Sequence, residues 1–285
     1  MAEIASIVNQ PLTGGNNGTD NITNEDYMNA MSAFEGYKID GFTLDGVSDA
    51  ALQAAAQAWV DKNKTNGANI LCFMGAAKDT DIDLVNTQSK AFNDEAITNV
   101  GTSGIYEGIE YSPGEVACYI VGLAVSKGIK ESICNASTIF EDVSPKLSRT
   151  QVEAALAAGT LVLVNEQQNV IVVDDVNTLK KISEGQSEAM GYIRAVKFLY
   201  TVDADTSAKR SDFIGLNNDD SGQKVVISAL KKYFETLQGD GVIGDFAVEI
   251  DKELQANAKS DEFYWKWNAV YINIMKKIFG TGYVQ

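Results

Sequence analysis

The chain has 285 residues, 45% of them hydrophobic and 22% charged, which is the balance of a folded protein long enough for two domains. The formal net charge of -16 disfavours partners with phosphate backbones or anionic membrane surfaces. The sequence contains no histidine, which excludes Ser-His-Asp and Cys-His catalysis and removes the usual ligand of zinc and non-haem iron. Mechanisms that use carboxylates or lysines remain open.

The first half of the chain alternates between helix and strand patterns. Residues 1–26 are dense in turn residues and are predicted to be a loop, with Asn24 as the cap of the first helix. The elements predicted next are helix 27–37, strand 38–44, helix 49–64 capped by Ser48, strand 69–75, helix 80–92, strand 96–100, a buried helix from Pro113 to about Lys127, helix 148–159, and a hairpin of strands 160–165 and 169–174. This alternation predicts an α/β layered domain with a largely parallel sheet.

The second half has a different pattern, after a seam predicted at residues 175–178 and 184–187. The predicted elements are helix 188–213, a turn at 217–222, helix 223–237, strand 246–250, strand 262–274 and a terminal run, 280–285. In the long strand, Phe263, Trp265, Trp267 and Tyr271 share one parity and therefore one face. We expect this face to pack on the two long helices, giving an α+β protein overall; a carbohydrate platform is the alternative.

The three cysteines, Cys72, Cys118 and Cys134, have neither the spacing of a metal site nor the even number of a disulfide framework. We expect reduced thiols, with Cys72 and Cys118 as small core residues. The first residues lack the basic and apolar segments of a signal peptide, and the longest apolar stretch, 116–125, is too short to span a bilayer. The sequence therefore predicts a protein of the cytosol, or one assembled there.

Two polar clusters are the candidates for chemistry. Asp79, Asp81 and Asp83 alternate as at the start of a calcium loop, but the glycine and the distal glutamate of such a loop are missing, which favours a cluster at a helix N-terminus. Asp205 lies four residues before Lys209, the spacing of an ion pair on a helix. We therefore expect no catalytic, cofactor-binding or metal-binding residues.

Six short motifs follow one another along the chain. They are Leu-Thr-Gly-Gly-x-x-Gly at 12–18, Tyr-x-Pro-x-Glu at 111–115, an Ala-Gly helix–strand junction at 153–163, Asn-Thr-Leu at 177–179, Phe-Ile-Gly-x-Asn-Asn at 213–218, and Met-Lys-Lys-Ile-Phe at 275–279. In their order and spacing, the chain resembles the sheath proteins of contractile phage tails, including those of prophages and R-type tailocins.

The resemblance implies a structural subunit that is not an enzyme and has no cofactor. Sheath subunits form stacked hexameric rings around a tail tube protein and contract to drive the tube through a cell envelope. The protein would belong to a virion tail assembled in the host bacterial cytoplasm, in contact with copies of itself and with the tube, but with neither nucleic acid nor membrane. The alternatives are the sheath of a related injection system and a small-molecule-binding or carboxylate-dependent α/β enzyme domain.

The resemblance also divides the chain and locates its contacts. It implies a leader at 1–11, an α/β sheath domain at 12–178 and an assembly domain at 179–285. Sheath subunits are joined by N- and C-terminal arms that add strands to a neighbour's sheet. The connector expected here is the strand arm 279–285, formed by Phe279, Gly280, Thr281, Gly282, Tyr283, Val284 and Gln285. Relatives carry an N-terminal arm before the Leu-Thr-Gly-Gly motif, so we expect a shortened or unusually short member that lacks one half of the exchange.

Overall fold

The computed structural model describes residues 22–276 and 280–281. Its helices are α1 Asn24–Phe34, α2 Ala50–Thr65, α3 Ile82–Phe92, α4 Pro113–Ser126, α5 Arg149–Ala158, α6 Ile193–Phe213, α7 Asp220–Gly239 and α8 Lys252–Gln255. Its strands are β1 Gly41–Thr43, β2 Leu71–Gly75, β3 Ile97–Val100, β4 Ser103–Tyr106, β5 Ile109–Tyr111, β6 Asp142–Ser144, β7 Thr160–Leu161, β8 Leu163–Glu166, β9 Asn169–Val172, β10 Ile243–Ile250 and β11 Trp265–Tyr271. This mixture of helices and several sheets confirms the predicted α/β class.

Four parallel strands form the central sheet, in the order β1-β2-β3-β7. The register pairs Cys72 of β2 with Ile97 of β3. Every residue of these two strands is buried, as is usual for parallel strands covered by helices. Helices α2 and α4 both pack on β2, while α3 and α5 pack on each other beside β7. The predicted alternation of strands and helices therefore produces the layered arrangement expected from it.

Helices α4 and α5 both begin at a serine whose side chain caps the first turn. Glu115 Oε2 accepts the N–H of Ser112 at 2.7 Å, and Ser112 in turn caps the first turn of α4. Ser148 caps α5 in the same way, and the helix ends at Gly159, whose positive φ of 83° favours glycine. The predicted start of α4 at Pro113 and the predicted Ser148 cap of α5 are therefore both confirmed.

The starts of α1 and α2 differ from the predicted ones. Thr23 rather than Asn24 caps α1, and its N–H donates to Asp26 Oδ2 at 2.8 Å. Asp49 rather than Ser48 caps α2, accepting the N–H of Leu52 at 2.9 Å. In each case two adjacent residues have side chains that can cap a helix, so the sequence alone does not determine which of them is the cap.

Two antiparallel units flank the central sheet. The hairpin β8–β9 turns at two residues with positive φ, Gln167 and Gln168, and confirms the predicted hairpin. The predicted strand 160–165 is nevertheless divided, because its first two residues form β7 of the central sheet. A three-stranded sheet, in the order β5-β4-β6, was not predicted. Its strands have only three or four residues each, too few for a periodic pattern to be recognised.

The second half of the chain builds a smaller core around the aromatic face of β11. The Trp267 ring centroid lies 6.3 Å from that of Phe198 on α6 and 5.0 Å from that of Phe234 on α7. This confirms that the aromatic face packs on the two helices, and it accounts for Trp267 without a carbohydrate platform. The predicted strands have different ends: β10 begins earlier than predicted, and β11 is confined to seven residues.

Helix α6 belongs to both cores. Ile193, Val196 and Tyr200 are part of the core under the central sheet, whereas Phe198 and Val202 are part of the smaller core. The helix is shorter than predicted because residues 188–191 form a separate 3-10 turn, ended by an extended residue, Tyr192. Tyr192 makes an isolated antiparallel bridge to Val176, which is incompatible with a continuous helix.

Lys197 of α6 completes the C-terminal end of α4. Its ammonium group donates to the carbonyl of Ala124 at 2.8 Å and to that of Val125 at 2.9 Å, and it also contacts the carbonyl of Lys127. Carbonyls at a helix end have no partner inside the helix, so a cation there satisfies them and complements the helix dipole. Burial lowers the pKa of Lys197 from its ordinary value.

Among the residues described, the helices are too short or too polar to cross a membrane. The three cysteines form no disulfide, as predicted. Cys72 is fully buried, and burial raises the pKa of its thiol. Cys134 is half-buried, and burial raises the pKa of its thiol to about 11.

Candidate assembly interface

The predicted connector is described only in part. Gly280 and Thr281 are exposed, and a Cβ placed on Gly280 would meet no atom within 4 Å. The other predicted contact residues, Phe279, Gly282, Tyr283, Val284 and Gln285, lie outside the described residues, as does the Leu-Thr-Gly-Gly segment at 12–18. The tail therefore stays a prediction, and its surroundings carry the structural argument.

The terminal tail follows a two-stranded ribbon formed by β10 and β11. The strands are antiparallel, with Val248 opposite Trp267 and Ile250 opposite Trp265. Among the described residues, neither strand pairs with a third strand. The backbone groups on both outer edges of the ribbon therefore have no strand partner. One of them is bonded to a side chain instead: the carbonyl of Gly244 accepts from Gln238 Nε2 at 3.1 Å.

The two faces of the ribbon differ in character. One carries the aromatic residues that pack on α6 and α7. The other face is exposed and bears Asp245, Ala247 and Glu249 on β10, with Lys266, Asn268 and Val270 on β11. Lys266 and Glu249 lie opposite each other, with the ammonium 3.7 Å from a carboxylate oxygen. A strand added at either edge would therefore meet helices on one side and solvent on the other.

A buried polar cluster holds the chain where it leaves the ribbon. The guanidinium of Arg194 donates to the hydroxyl of Tyr271 at 2.8 Å and to the carbonyl of Ile272 at 2.9 Å. Further along, the ammonium of Lys276 lies 2.5 Å from Asp174 Oδ1 and also pairs with Asp175. Sequence reasoning missed this cluster, because its acids and its lysine are about a hundred residues apart.

Burial and charge oppose each other in this cluster. Burial alone would lower the pKa of Lys276, but the two neighbouring carboxylates raise it above its ordinary value. Burial, the largest effect on Asp175, raises the pKa of its carboxyl, although Lys276 opposes the shift. Lys276 also lies 3.5 Å from the ring centroid of Tyr192, a cation–π contact. Lys276 therefore carries its positive charge although its side chain is only 12% exposed.

The acidic cluster that could have served an enzyme has a local structural role. Asp81 caps α3 and accepts the N–H of Asp83 at 2.8 Å, while Asp79 lies in the preceding turn with a positive φ of 61°. All three are exposed. In the described part of the chain, no group of three or more acidic or cysteine side chains is placed to hold a metal ion. The predicted helix N-terminus is confirmed.

The predicted ion pair between Asp205 and Lys209 is wrong. Asp205 accepts instead from the hydroxyl of Tyr233 on α7, at 2.8 Å. Lys209 lies 3.7 Å from Asp212, one turn further along α6. The hydrogen bond to α7 joins two elements of the smaller core, whereas the predicted pair would have joined only one turn of a helix.

The motif Asn-Thr-Leu has a structural reason. The side-chain oxygen of Asn177 accepts the N–H of Leu179 at 3.0 Å, and its amide donates to the carbonyl of Met190 at 2.7 Å. Thr178 donates to the carbonyl of Asp94 at 2.9 Å. These contacts fasten the segment between the two halves of the chain to the central sheet.

The whole arrangement resembles solved sheath proteins. A sheath tail protein from Desulfitobacterium hafniense matches with a TM-score of 0.74 and 19% identity, over 95% of this chain and 65% of that one. One from Listeria innocua matches with a TM-score of 0.69 and 20% identity, over 88% and 60%. The contracted helical sheath of the anti-feeding prophage matches with a TM-score of 0.62 and 11% identity, over 82% of this chain and 67% of that one. The fold is therefore that of contractile sheath proteins, and the chain spans less than two-thirds of the first two.

Two family models cover nearly all of the sequence. The phage tail sheath protein central domain matches residues 20–178, and the phage tail sheath C-terminal domain matches residues 185–285. No curated protein sequence matches the chain. The chain belongs to the phage tail sheath protein family, a family of structural proteins of contractile tails and injection systems.

Proposed function

We propose that this chain is a structural subunit of a contractile sheath, which polymerises into stacked hexameric rings around a tail tube protein and contracts to drive the tube through a cell envelope. Family membership supports this role. So does the similarity to contracted sheaths of the anti-feeding prophage and of an extracellular contractile injection system. The subunit acts without catalysis, as part of a tail assembled in the bacterial cytoplasm.

The observation that carries the proposal is the two-stranded ribbon of β10 and β11 with its unpaired edges. A lone two-stranded unit is marginally stable in water, and here only one of its faces is packed. An extended segment from another subunit can pair with either edge, gaining affinity from backbone hydrogen bonds. We therefore assign residues 279–285 as the segment donated to the ribbon of a neighbouring copy.

We also propose a division into a leader at 1–11, a sheath domain at 12–178 and an assembly domain at 179–285. The two family matches end and begin on either side of this boundary. The ribbon and the tail both belong to the second domain.

A source in a phage, a prophage, a tailocin or a related injection system is compatible with the proposal. The runner-up, an enzyme domain that uses Asp79, Asp81 and Asp83, has no observation in its favour, because all three carboxylates are exposed and that of Asp81 caps α3.

The test is to delete residues 279–285 and examine the purified chain by negative-stain electron microscopy and sedimentation. The unmodified chain is expected to form rings or tubes. The deletion is expected to abolish them and to change Tm by no more than about 2 °C, since the segment would pack on another subunit. Tyr283→Phe is the matched control and should still polymerise, because it leaves every backbone group in place.

Two results would contradict the proposal. One is a deletion variant that polymerises like the unmodified chain. The other is a large loss of Tm on deletion, which would mean that the tail packs within its own subunit.

A further inference from the structure

The chain between β11 and Lys276 is fastened at both ends. At its start, the N–H of Ile272 donates to the carbonyl of Val242 at 3.1 Å, and Arg194 donates to the carbonyl of Ile272. At its end, Lys276 reaches Asp174 and Asp175. The side chain of Lys276 is only 12% exposed, and those of Asp174 and Asp175 are 16% and 2% exposed. The root of the tail is thus fixed before the predicted connector begins.

The two acids lie between the hairpin β8–β9 and a segment that is hydrogen-bonded to the central sheet. They follow β9 after one residue, Val173, whose N–H donates to the carbonyl of Val162 at 3.1 Å. Shortly after them, the N–H of Thr178 donates to the carbonyl of Ile97 in β3 at 2.9 Å. The carbonyl of Asp175 also accepts the N–H of Ile193 at the start of α6, at 2.7 Å. A force on Lys276 therefore acts on a segment that is hydrogen-bonded to β3 of the central sheet and to the start of α6.

We propose that Lys276, Asp174 and Asp175 form a tail anchor, which passes the pull on the C-terminal connector to the central sheet instead of to the ribbon. This inference rests on the proposed function of the tail as a connector. Without the anchor, a pull on the tail would act on the end of β11 and break its pairing with β10 one hydrogen bond after another. With the anchor, the ribbon can hold a neighbour's strand while its own tail is under tension.

The anchor predicts how trypsin cuts the tail. Lys276 and Lys277 are both cleavage sites by sequence, but trypsin can bind the side chain of Lys276 only after it has left the two carboxylates. We expect Asp174→Asn/Asp175→Asn to speed cleavage after Lys276 by roughly tenfold or more, because local opening sets the rate. Mass spectrometry separates this product from the one that ends at Lys277.

Controls separate the anchor from a general loss of stability. Asp240→Asn removes an exposed ion pair, that with Lys130 at 2.8 Å, and should leave cleavage after Lys276 unchanged. If the double variant fails to fold, Asp174→Asn alone serves, since Asp174 is the more exposed of the two acids and Asp175 remains. Equal rates of cleavage after Lys276 in the unmodified chain and in the folded variant would overturn the anchor.

A second measurement tests the transfer of load. Tubes of the acid variants should be fewer and should break more readily under shear than unmodified tubes, at unchanged Tm of the isolated subunit. Faster cleavage with unaltered tubes would overturn the load-carrying role. Failure of the proposed function is distinguishable, because it appears as polymerisation of the deletion variant lacking 279–285, whereas the cleavage assay is made on unassembled subunits.

Discussion

A single carboxylate, that of Asp142, holds two parts of the first half together. It lies on β6 and accepts from Lys146 at 2.8 Å and from Asn165 of the hairpin at 3.0 Å. The hydrogen bond from Lys146, followed by that from Asn165, lowers the pKa of Asp142 to about 2. Because this pKa lies below the ordinary value, the ionised form stabilises the folded chain.

Asp142→Asn is therefore expected to cost stability in a pH-dependent way. The contribution of Asp142 is fully present above the unfolded pKa, near 3.8, and is lost as the pH falls through about 2. At pH 7 the loss should be at most about 1 kcal/mol, since the pair with Lys146 is largely exposed. Urea unfolding at pH 7 and pH 3 measures the difference, with Glu153→Gln as an exposed control. A loss that grows towards pH 3 would contradict this account.

Residue contacts divide sharply into those that the sequence could predict and those that it could not. Strand parity places Trp267 and Tyr271 on the packed face, because an alternation of two is fixed by the backbone. The spacing of Asp205 and Lys209 gave a wrong ion pair, because the hydroxyl of Tyr233 on another helix holds Asp205 instead. The tail anchor depends on Lys276, and nothing local marks that lysine as buried.

At the scale of elements, α4 shows why a short motif can matter. Its N-terminus lies against the end of β2, where a Cβ on Gly75 would come within 2.3 Å of the backbone of Pro113. The helix must therefore begin at a fixed place, and the capping box of Ser112 and Glu115 sets it. This gives the Tyr-x-Pro-x-Glu motif a physical meaning.

Ser112→Ala should lower the free energy of unfolding by about 1 kcal/mol, or roughly 2–4 °C of Tm, because the first turn of α4 loses its cap. Differential scanning calorimetry measures the change. Ser211→Ala on α6 is the control, since Ser211 is exposed and away from any helix start. A variant as stable as the control would show that the cap is dispensable.

Elements were predictable where local chemistry determines them. The caps of α4 and α5 and the hairpin β8–β9 follow from side chains a few residues apart. The strands of the β5-β4-β6 sheet were not predicted, because they form by pairing between residues as distant in sequence as Ser103 and Ser144. The division of the predicted strand 160–165 is also tertiary, since Thr160 pairs with Asn99 and Leu163 with Val172.

At the scale of the whole molecule, the ribbon has two edges, and the tail, in the proposed role, would fill only one of them in a neighbour. We therefore predict that an upstream segment able to form a strand, joined before Met1, promotes polymerisation. Two connections per subunit bind with higher avidity than one, so the concentration needed for tubes should fall by at least about tenfold. Light scattering across a dilution series measures it.

The control for this prediction is an upstream segment of equal length with alternate residues replaced by proline, which cannot pair in a sheet. Equal assembly with both segments would contradict the strand-exchange account.

The order of the motifs was enough to predict the family, and the alternation of helix and strand patterns was enough to predict the α/β class. The candidate site could be predicted only as a segment of sequence, 279–285, because the surface that we propose for it lies on another copy. The ribbon that would receive it was recognised as two strands, but its unpaired edges and one-sided packing appear only when β10 and β11 are placed together.

Helix α6 contributes to both cores, and its Lys197 binds the C-terminal end of α4, which has a consequence for folding during synthesis. The residues of the central sheet and of α4 are synthesised before residue 197. Until α6 follows, the carbonyls at the C-terminal end of α4 lack the ammonium of Lys197, and the core lacks the side chains that α6 contributes. When α6 is synthesised, Lys197 binds these carbonyls, and Val196 and Tyr200 pack into the core. We therefore expect the first half to reach its final stability only after α6, in the second half, has been synthesised.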